Sequence, residues 1–519
     1  MKKAIYLIIA LIGLSAPSCS DSMLDFSPTD SGSGKELLKS ASTAITSVNG
    51  VYRSMWTAGW STTANTHQCF GIAAYNLALD CMADDLIMQS QGNGWFWGDH
   101  CYNVKSNYTS SAFRSYDVWY ANYKWIANVN YIIDAEPEMA GTEADVAYVA
   151  GQAYAIRALC YLNLATWFSR APYNSLTGAS RWNEPCVPVY TTGTSIDTGG
   201  QPRESLRTVY GRIDQDIDRA IELLEKARET TLAENNKSHI NLYVALGIKS
   251  RACLAEGDWD GAFKAAKRVI DEGGYAVGTK SDLTGGMNSL DKQNVMWGAG
   301  IQVADQAGGY AGFFTHMDNK EGAYAKSAPK LISKQLYNRI SATDIRRDWW
   351  DPSDKESPYV SKKFSFANVA SFRGDYIYMR VEEMYFTAAE AALRLDDLKS
   401  ARELMNTVMA ERDPGYSANN RSGTLLGATT TTWTGSFLEN ILTHRRIELW
   451  GEYGRLFDVR RLGQGIDRRT DDGFSEECIS MMNRRNVNIT KADTYDWVLT
   501  IPKAELDANP NINEEDQNP

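Results

Sequence analysis

The segment Gln91 to His100 (QGNGWFWGDH) sets three aromatic side chains, Trp95, Phe96 and Trp97, in a row between Gly92, Gly94 and Gly98. An amphipathic helix buries aromatics at i, i+3 and i+4, so consecutive aromatics between glycines cannot all face one core. Some are expected to stand exposed. A flat indole there stacks on the apolar face of a sugar ring, while Asn93 and Asp99 take its hydroxyls. The equal alternative is a tryptophan knot that plugs the loop onto the body. Gly308 to Asp318 (GGYAGFFTHMD) repeats the theme with Tyr310, Phe313 and Phe314, and Trp56 to Trp60 is a weaker third instance. Trp95, Trp97 and Asn93 are therefore the leading ligand-binding candidates, followed by Tyr310 and Phe313.

Residues able to break bonds are harder to find. The five histidines, His67, His100, His239, His316 and His444, form no H-E-x-x-H, and no G-x-S-x-G elbow occurs. Lys35 of Ser31-Gly32-Ser33-Gly34-Lys35 is followed by Glu36, which departs from a phosphate loop, and Gly298-Ala299-Gly300 lacks the third glycine of a dinucleotide fingerprint. Three adjacent carboxylate pairs stand out: Asp84-Asp85, Asp396-Asp397 and Asp471-Asp472. Glycoside hydrolysis needs two carboxyls about 5–9 Å apart, and sequence alone leaves that open. Asp396-Asp397 falls in a helix turn, where capping is the simpler role. No catalytic residue, metal site or cofactor is expected. Beyond Cys19 the seven cysteines include no C-x-x-C, and a disulfide among Cys69, Cys81 and Cys101 stands as the less favoured alternative to free thiols.

The elements that must carry these loops are helices. Apolar residues at Ala155, Leu159, Leu162 and Trp167 give Tyr148 to Phe168 a helical period, and Tyr210 to Leu224 buries Ile213, Ile217, Ala220 and Leu224 on one face. Val118 to Ile133 is a third long helix, rich in aromatics. Arg251 to Ile270 and Glu390 to Met409 repeat one another at a constant offset. Leu254 matches Leu393, Asp258 matches Asp397, Ala262 matches Ala401 and Val269 matches Val408. Each reads as a helix, an acidic turn and a second helix, like the tetratricopeptide hairpin. Tyr148 to Phe168 and Tyr210 to Leu224 are expected to form a further pair. Short strands are predicted at Val187 to Tyr190, Tyr376 to Met379 and Trp497 to Ile501. The expected fold is all-α: tetratricopeptide-like hairpins as scaffold, a loop-rich ligand-binding face, and minor β hairpins.

The chain opens with Lys2, Lys3 and a short apolar run from Ala4 to Leu14, then small residues up to Ser18. That is the pattern of an export signal over 1–18. Cys19 is expected to become the first mature residue and to carry lipid, with 19–34 as a tether. Ala16 departs from the usual lipoprotein signal. The body, 35–519, has an N-terminal part (35–240) and a C-terminal part (241–519) interleaved in one fold. A net charge of −11 argues against nucleic acid and against adhesion to anionic lipid, so the membrane is met only through the anchor. Fifteen tryptophans and 27 tyrosines fit either large helical cores or a stacking surface.

Several stretches resemble, in order, the SusD/RagB-type outer-membrane nutrient-binding lipoproteins of the Bacteroidota. Arg380 to Pro414 matches through Arg380, Glu383, Ala389, Glu390, Ala391, Ala401, Asn406, Val408 and Arg412. Ile441 to Leu462 matches through Arg445, Glu448, Leu449, Glu452, Arg455, Asp458 and Arg461, with His444 and Tyr453 as departures. Ile501 to Pro519 resembles the family's tail, with Glu514, Glu515 and Asp516 stretching its spacing. Met23 to Pro28 resembles the start of the mature chain. Gly151 to Tyr173 matches through Ala153, Arg157, Ala158, Tyr161, Leu164, Phe168 and Pro172. The resemblance implies a surface-exposed outer-membrane lipoprotein, not an enzyme, that captures oligosaccharides. It would deliver them to a SusC-like TonB-dependent transporter, over which it sits as a lid. A peptide ligand on the same fold is the alternative, and an exported glycoside hydrolase a more distant one. The resemblance also implies that Glu383, Glu390, Arg445 and Arg455 form structural ion pairs and that ligand residues lie in loops.

Overall fold

The computed structural model describes residues 34–58, 66–102, 113–195, 197–233, 237–301, 311–492 and 494–519. The leader, Cys19, most of the tether, Trp60 and Tyr310 lie outside the described residues. Twelve helices of eight residues or more occur among those described. They are α1 (Ala41–Ser54), α2 (Ile72–Met82), α3 (Phe113–Ala135), α4 (Glu143–Phe168), α5 (Leu206–Lys226), α6 (Leu242–Glu256), α7 (Trp259–Glu272), α8 (Val381–Arg394), α9 (Leu398–Ala410), α10 (Phe437–Glu448), α11 (Arg455–Leu462) and α12 (Glu476–Arg484).

The repeat read from sequence is a structural repeat. In α6–α7 the Asp258 carboxylate accepts from the N–H of Gly261 at 3.0 Å and caps α7; in α8–α9 Asp397 accepts from the N–H of Ser400 at 3.0 Å and caps α9. The residue before each cap is left-handed, Gly257 at φ +76° and Asp396 at φ +62°. Ala262 and Ala401 are fully buried, which lets each pair of helices close. α7 packs against α8, so the two hairpins stack, and α4 packs against both α3 and α5. α5 buries Ile213, Ile217, Ala220 and Leu224 as its period predicts. α4 differs from the expected one-sided helix: from Ala147 to Phe168 it is buried almost all round, because neighbours flank it on several sides.

Six short strands occur among the described residues. β1 (Leu86–Met88), β3 (Lys330–Ile332), β5 (Val360–Ser361) and β4 (Trp350–Asp351) form one antiparallel sheet in that order; β2 (Val295–Ala299) pairs with β6 (Tyr376–Arg380). Tyr376–Arg380 is thus a strand as predicted. Val187 to Tyr190 and Trp497 to Ile501 are not. Val187 to Tyr190 is extended, with Tyr161 Oη donating to the Tyr190 carbonyl at 2.8 Å; Trp497 closes a 3-10 turn, and the stretch beyond it is tied by the Leu499 N–H to the Trp167 carbonyl at 2.9 Å. β1 and β3 are joined across most of the body rather than by a hairpin, with Leu86 opposite Ile332. The seven described cysteines are buried free thiols. Cys69, Cys81 and Cys101 are all among them, so the disulfide alternative is not formed.

Candidate functional site

After β1 the chain leaves the sheet through Gly92 and Gly94, both left-handed at φ +52° and +90°. A Cβ on Gly92 would meet the Ser327 carbonyl oxygen at 2.5 Å, so the turn closes only with glycine there. Phe96 is also left-handed (φ +61°) and opens the short helical turn Trp97–His100. That backbone sends the three consecutive aromatics in different directions. Phe96 is fully buried, edge-on to Phe70 and His316 and under the Arg114 guanidinium, with its N–H donating to Gln68 Oε1 at 2.7 Å. Trp97 is 3% exposed and leans on His100. It is the core plug that the knot alternative describes, and it offers no platform for ligand. Asp99 is also consumed: Arg114 grips both its oxygens, at 2.8 and 3.0 Å, with both side chains buried.

Trp95 alone of the three stays half-buried. Its indole stacks on the His67 ring at 5.0 Å and 25°, and the edge of Tyr324 stands 6.1 Å away. Tyr324 Oη lies 2.5 Å from His67 Nδ1, and His67 is held from behind by His316 Nε2, 2.6 Å from its carbonyl oxygen. The rings are therefore fixed before any ligand arrives. Asn93 is exposed beside them, its Oδ1 accepting the Trp95 N–H at 3.4 Å. Phe313 does not join this face. It is 8% exposed and packs among Phe314, Phe364 and Tyr376, because its short helix turns inward. His67 and Tyr324 are the members sequence reasoning missed. Nothing local marks either, since they meet Trp95 only through the fold.

Two family models match the chain. One, described as the SusD family, covers residues 316–519; the other, described as starch-binding associating with outer membrane, covers residues 43–254. The chain belongs to the SusD family. Among solved structures, a SusD-like carbohydrate binding protein from Bacteroides vulgatus is 25% identical with a TM-score of 0.73, over 92% of this chain and 98% of that one. A SusD superfamily protein from Bacteroides thetaiotaomicron is 22% identical with a TM-score of 0.72, over 92% and 100%. Surface glycan-binding protein A from Bacteroides thetaiotaomicron, in complex with laminarihexaose, has the same fold at 15% identity and a TM-score of 0.63, over 92% and 99%. No curated protein sequence matches.

The SusD-family motif residues lie in the core rather than at the Trp95 face. Arg251 grips Glu383 through two bonds of 2.7 Å, and Arg461 grips Glu390 at 2.9 and 2.8 Å. Arg445 and Arg461 share Asp458 at 2.7 Å each. Glu448 takes Arg380, Arg412 and Arg346 at 2.9–3.1 Å. Burial works to raise the Glu448 carboxyl, but Arg412 and Arg380 outweigh it and hold it well below the ordinary value. The two departures from the family pattern fit this frame. His444 accepts from Arg346 at 2.8 Å, and the buried Tyr453 ring lies between the guanidinia of Arg251 and Arg445, 4.5 and 4.9 Å from its centroid. The carboxylate pairs are structural as well. Asp84 and Asp85 are buried against Arg446 and Arg455, and Asp397 is the cap of α9. Asp472 accepts from the Gln335 N–H at 2.6 Å. Among the described residues no helix is long and apolar enough to cross a membrane.

Proposed function

We propose that this protein is a glycan-binding lipoprotein of the outer-membrane surface that captures an oligosaccharide and hands it to a TonB-dependent transporter. The observation that carries the reading is Trp95: a half-buried indole, locked on His67 and edged by Tyr324, with an exposed amide at Asn93. A sugar ring has apolar C–H faces and hydroxyl edges, and this pairing of a fixed ring with an exposed amide suits both. Aromatic contacts contribute about 0.5–1.5 kcal/mol each. A single platform therefore gives modest affinity, which suits a protein that must release its cargo. With Asp84 and Asp85 held in ion pairs and Asp397 in a helix cap, the reading is capture without bond cleavage.

Calorimetry against a panel of neutral oligosaccharides, on wild type and Trp95→Ala, tests this. Affinity falling about fivefold to tenfold in the variant is the expected result, as the energy of one stacked ring implies. Unchanged affinity removes Trp95 as the platform, and release of reducing ends by the purified protein overturns the non-catalytic reading. Similarity to the SusD family supports the proposed transporter partner and Cys19 anchor. Lipid labelling that disappears in Cys19→Ala, and co-purification with an outer-membrane barrel, are their tests.

A further inference from the structure

α3 carries a second aromatic surface away from Trp95. Tyr116, Tyr120 and Tyr123 fall three and four residues apart, on one face of the helix. With Tyr190, Thr194, Ser195 and Thr198 on one side, and Pro502, Ala504 and Glu505 on the other, they enclose an open cleft of about 560 Å³. That lies within the range of small-ligand sites. The Tyr116 and Tyr120 rings lie nearly parallel, 5.5 Å apart at 15°; Tyr190 meets Tyr123 edge-on at 5.8 Å. All four tyrosines are half-buried, so each keeps part of its ring in the cleft.

Hydrogen bonds pin these rings. Tyr123 Oη donates to the Pro188 carbonyl at 2.7 Å, and Tyr190 Oη accepts the Gln201 N–H at 2.9 Å. Lys124 Nζ donates to Tyr120 Oη at 3.1 Å. Behind them, the buried Trp119 donates its Nε1–H to Glu505 at 3.1 Å, and the other oxygen of Glu505 accepts from Asn509 at 2.8 Å. A cleft prepared in this way loses little freedom when a ligand enters.

Its chemistry narrows the ligand. The walls combine tyrosine and tryptophan rings with Ile126, Ala127, Pro502 and Ala504, so the cleft offers flat apolar faces edged by phenol hydroxyls rather than a purely aliphatic lining. Among the described residues Lys124 is the one cation lining the cleft and is already bonded to Tyr120, which disfavours a polyanion. Glu505 is the one carboxylate lining it among the described residues and already has a donor on each oxygen, which disfavours a cation or a basic peptide. What remains is a neutral ligand with flat apolar faces and hydroxyl edges, which Thr194, Ser195 and Thr198 on the rim can meet. We infer that the α3 cleft is a second carbohydrate site for a neutral sugar ring. None of its lining residues belongs to the Trp95 cluster, so it is independent of the site proposed above.

The test titrates maltohexaose, cellohexaose, laminarihexaose, mannohexaose and xylohexaose into wild type, Trp95→Ala and Tyr116→Ala/Tyr120→Ala. Melting curves confirm that the variants are folded. The expected result is two binding events for at least one sugar, one of them weakened about tenfold or more in the tyrosine variant. That sugar should also protect Tyr116 and Tyr120 from hydroxyl-radical oxidation in the wild type. Binding that survives in Trp95→Ala and vanishes in the tyrosine variant supports the cleft and removes Trp95. Binding that vanishes in Trp95→Ala, with the tyrosine variant unaffected and neither tyrosine protected, overturns the cleft and leaves the first site standing. No binding and no protection with any of the five overturns both.

Discussion

Trp97 and Trp95 lie two residues apart, and truncating them should be felt in different measurements. Trp97 fills the core, so Trp97→Ala should cost about 3–5 kcal/mol of stability, read from denaturant unfolding, without touching a ligand directly. Trp95→Ala should barely move the unfolding midpoint and should act on sugar affinity. Glu448→Ala is the severe case among charges. It strands Arg380, Arg412 and Arg346 without their shared carboxylate, and about 3–5 kcal/mol is the usual cost of breaking a buried pair. At this scale the sequence said that three aromatics in a row could not share one core. Which of them faces outward depends on His67 and Tyr324, contributed by distant parts of the chain, and no local pattern carries that. Phe313 failed as a candidate for the same reason: a Gly-rich flank permits a loop but does not say which way its rings turn.

The helical hairpins make the caps testable. Asp258→Ala and Asp397→Ala should each cost about 1 kcal/mol, since each removes the acceptor for an unpaired N–H at a helix start. Gly257→Ala should cost more than loss of a cap. It forces a left-handed residue to carry a Cβ, and that Cβ would come within 2.5 Å of the Tyr173 ring. These hairpins were legible because a 3.6-residue period, an acidic cap and a small residue at the crossing are all local signals. The constant offset between Leu254 and Leu393, or Asp258 and Asp397, made the repeat visible. The sheet was less legible. β1, β3, β4 and β5 are two or three residues long, too short for alternation to register, and β1 finds β3 only through the fold. The aromatic richness of α3 was visible too, but not that Tyr190 and Glu505 would complete a cleft on it.

Across the whole molecule, buried carboxylates set the response to acid. Arginines hold Glu448, Glu452, Glu390 and Asp458 below their ordinary values of 4.5 and 3.8, against the upward push of burial. A carboxyl lowered by folding contributes stability that is complete above its unfolded value and is lost as pH falls through the folded one. Melting temperature should therefore drop steeply below about pH 4. Glu256 has the opposite sign. Burial, then Asp214 and Asp258, raise it to about 8, so its contribution is complete below 4.5 and fades as pH rises to 8. Glu256→Gln should flatten the stability profile across that window. One clasp joins distant parts of the chain. Asp80, Asp84 and Asp85 sit at the end of α2 and just beyond it, and their partners are Arg446 and the Arg455 backbone and side chain. A ribosome builds the acids early and the arginines near the finish. Until residue 455 emerges, this clasp cannot shut, and the early helices wait with uncompensated negative charge. A chain truncated before Arg446 should be cut readily by protease, and the full chain should resist.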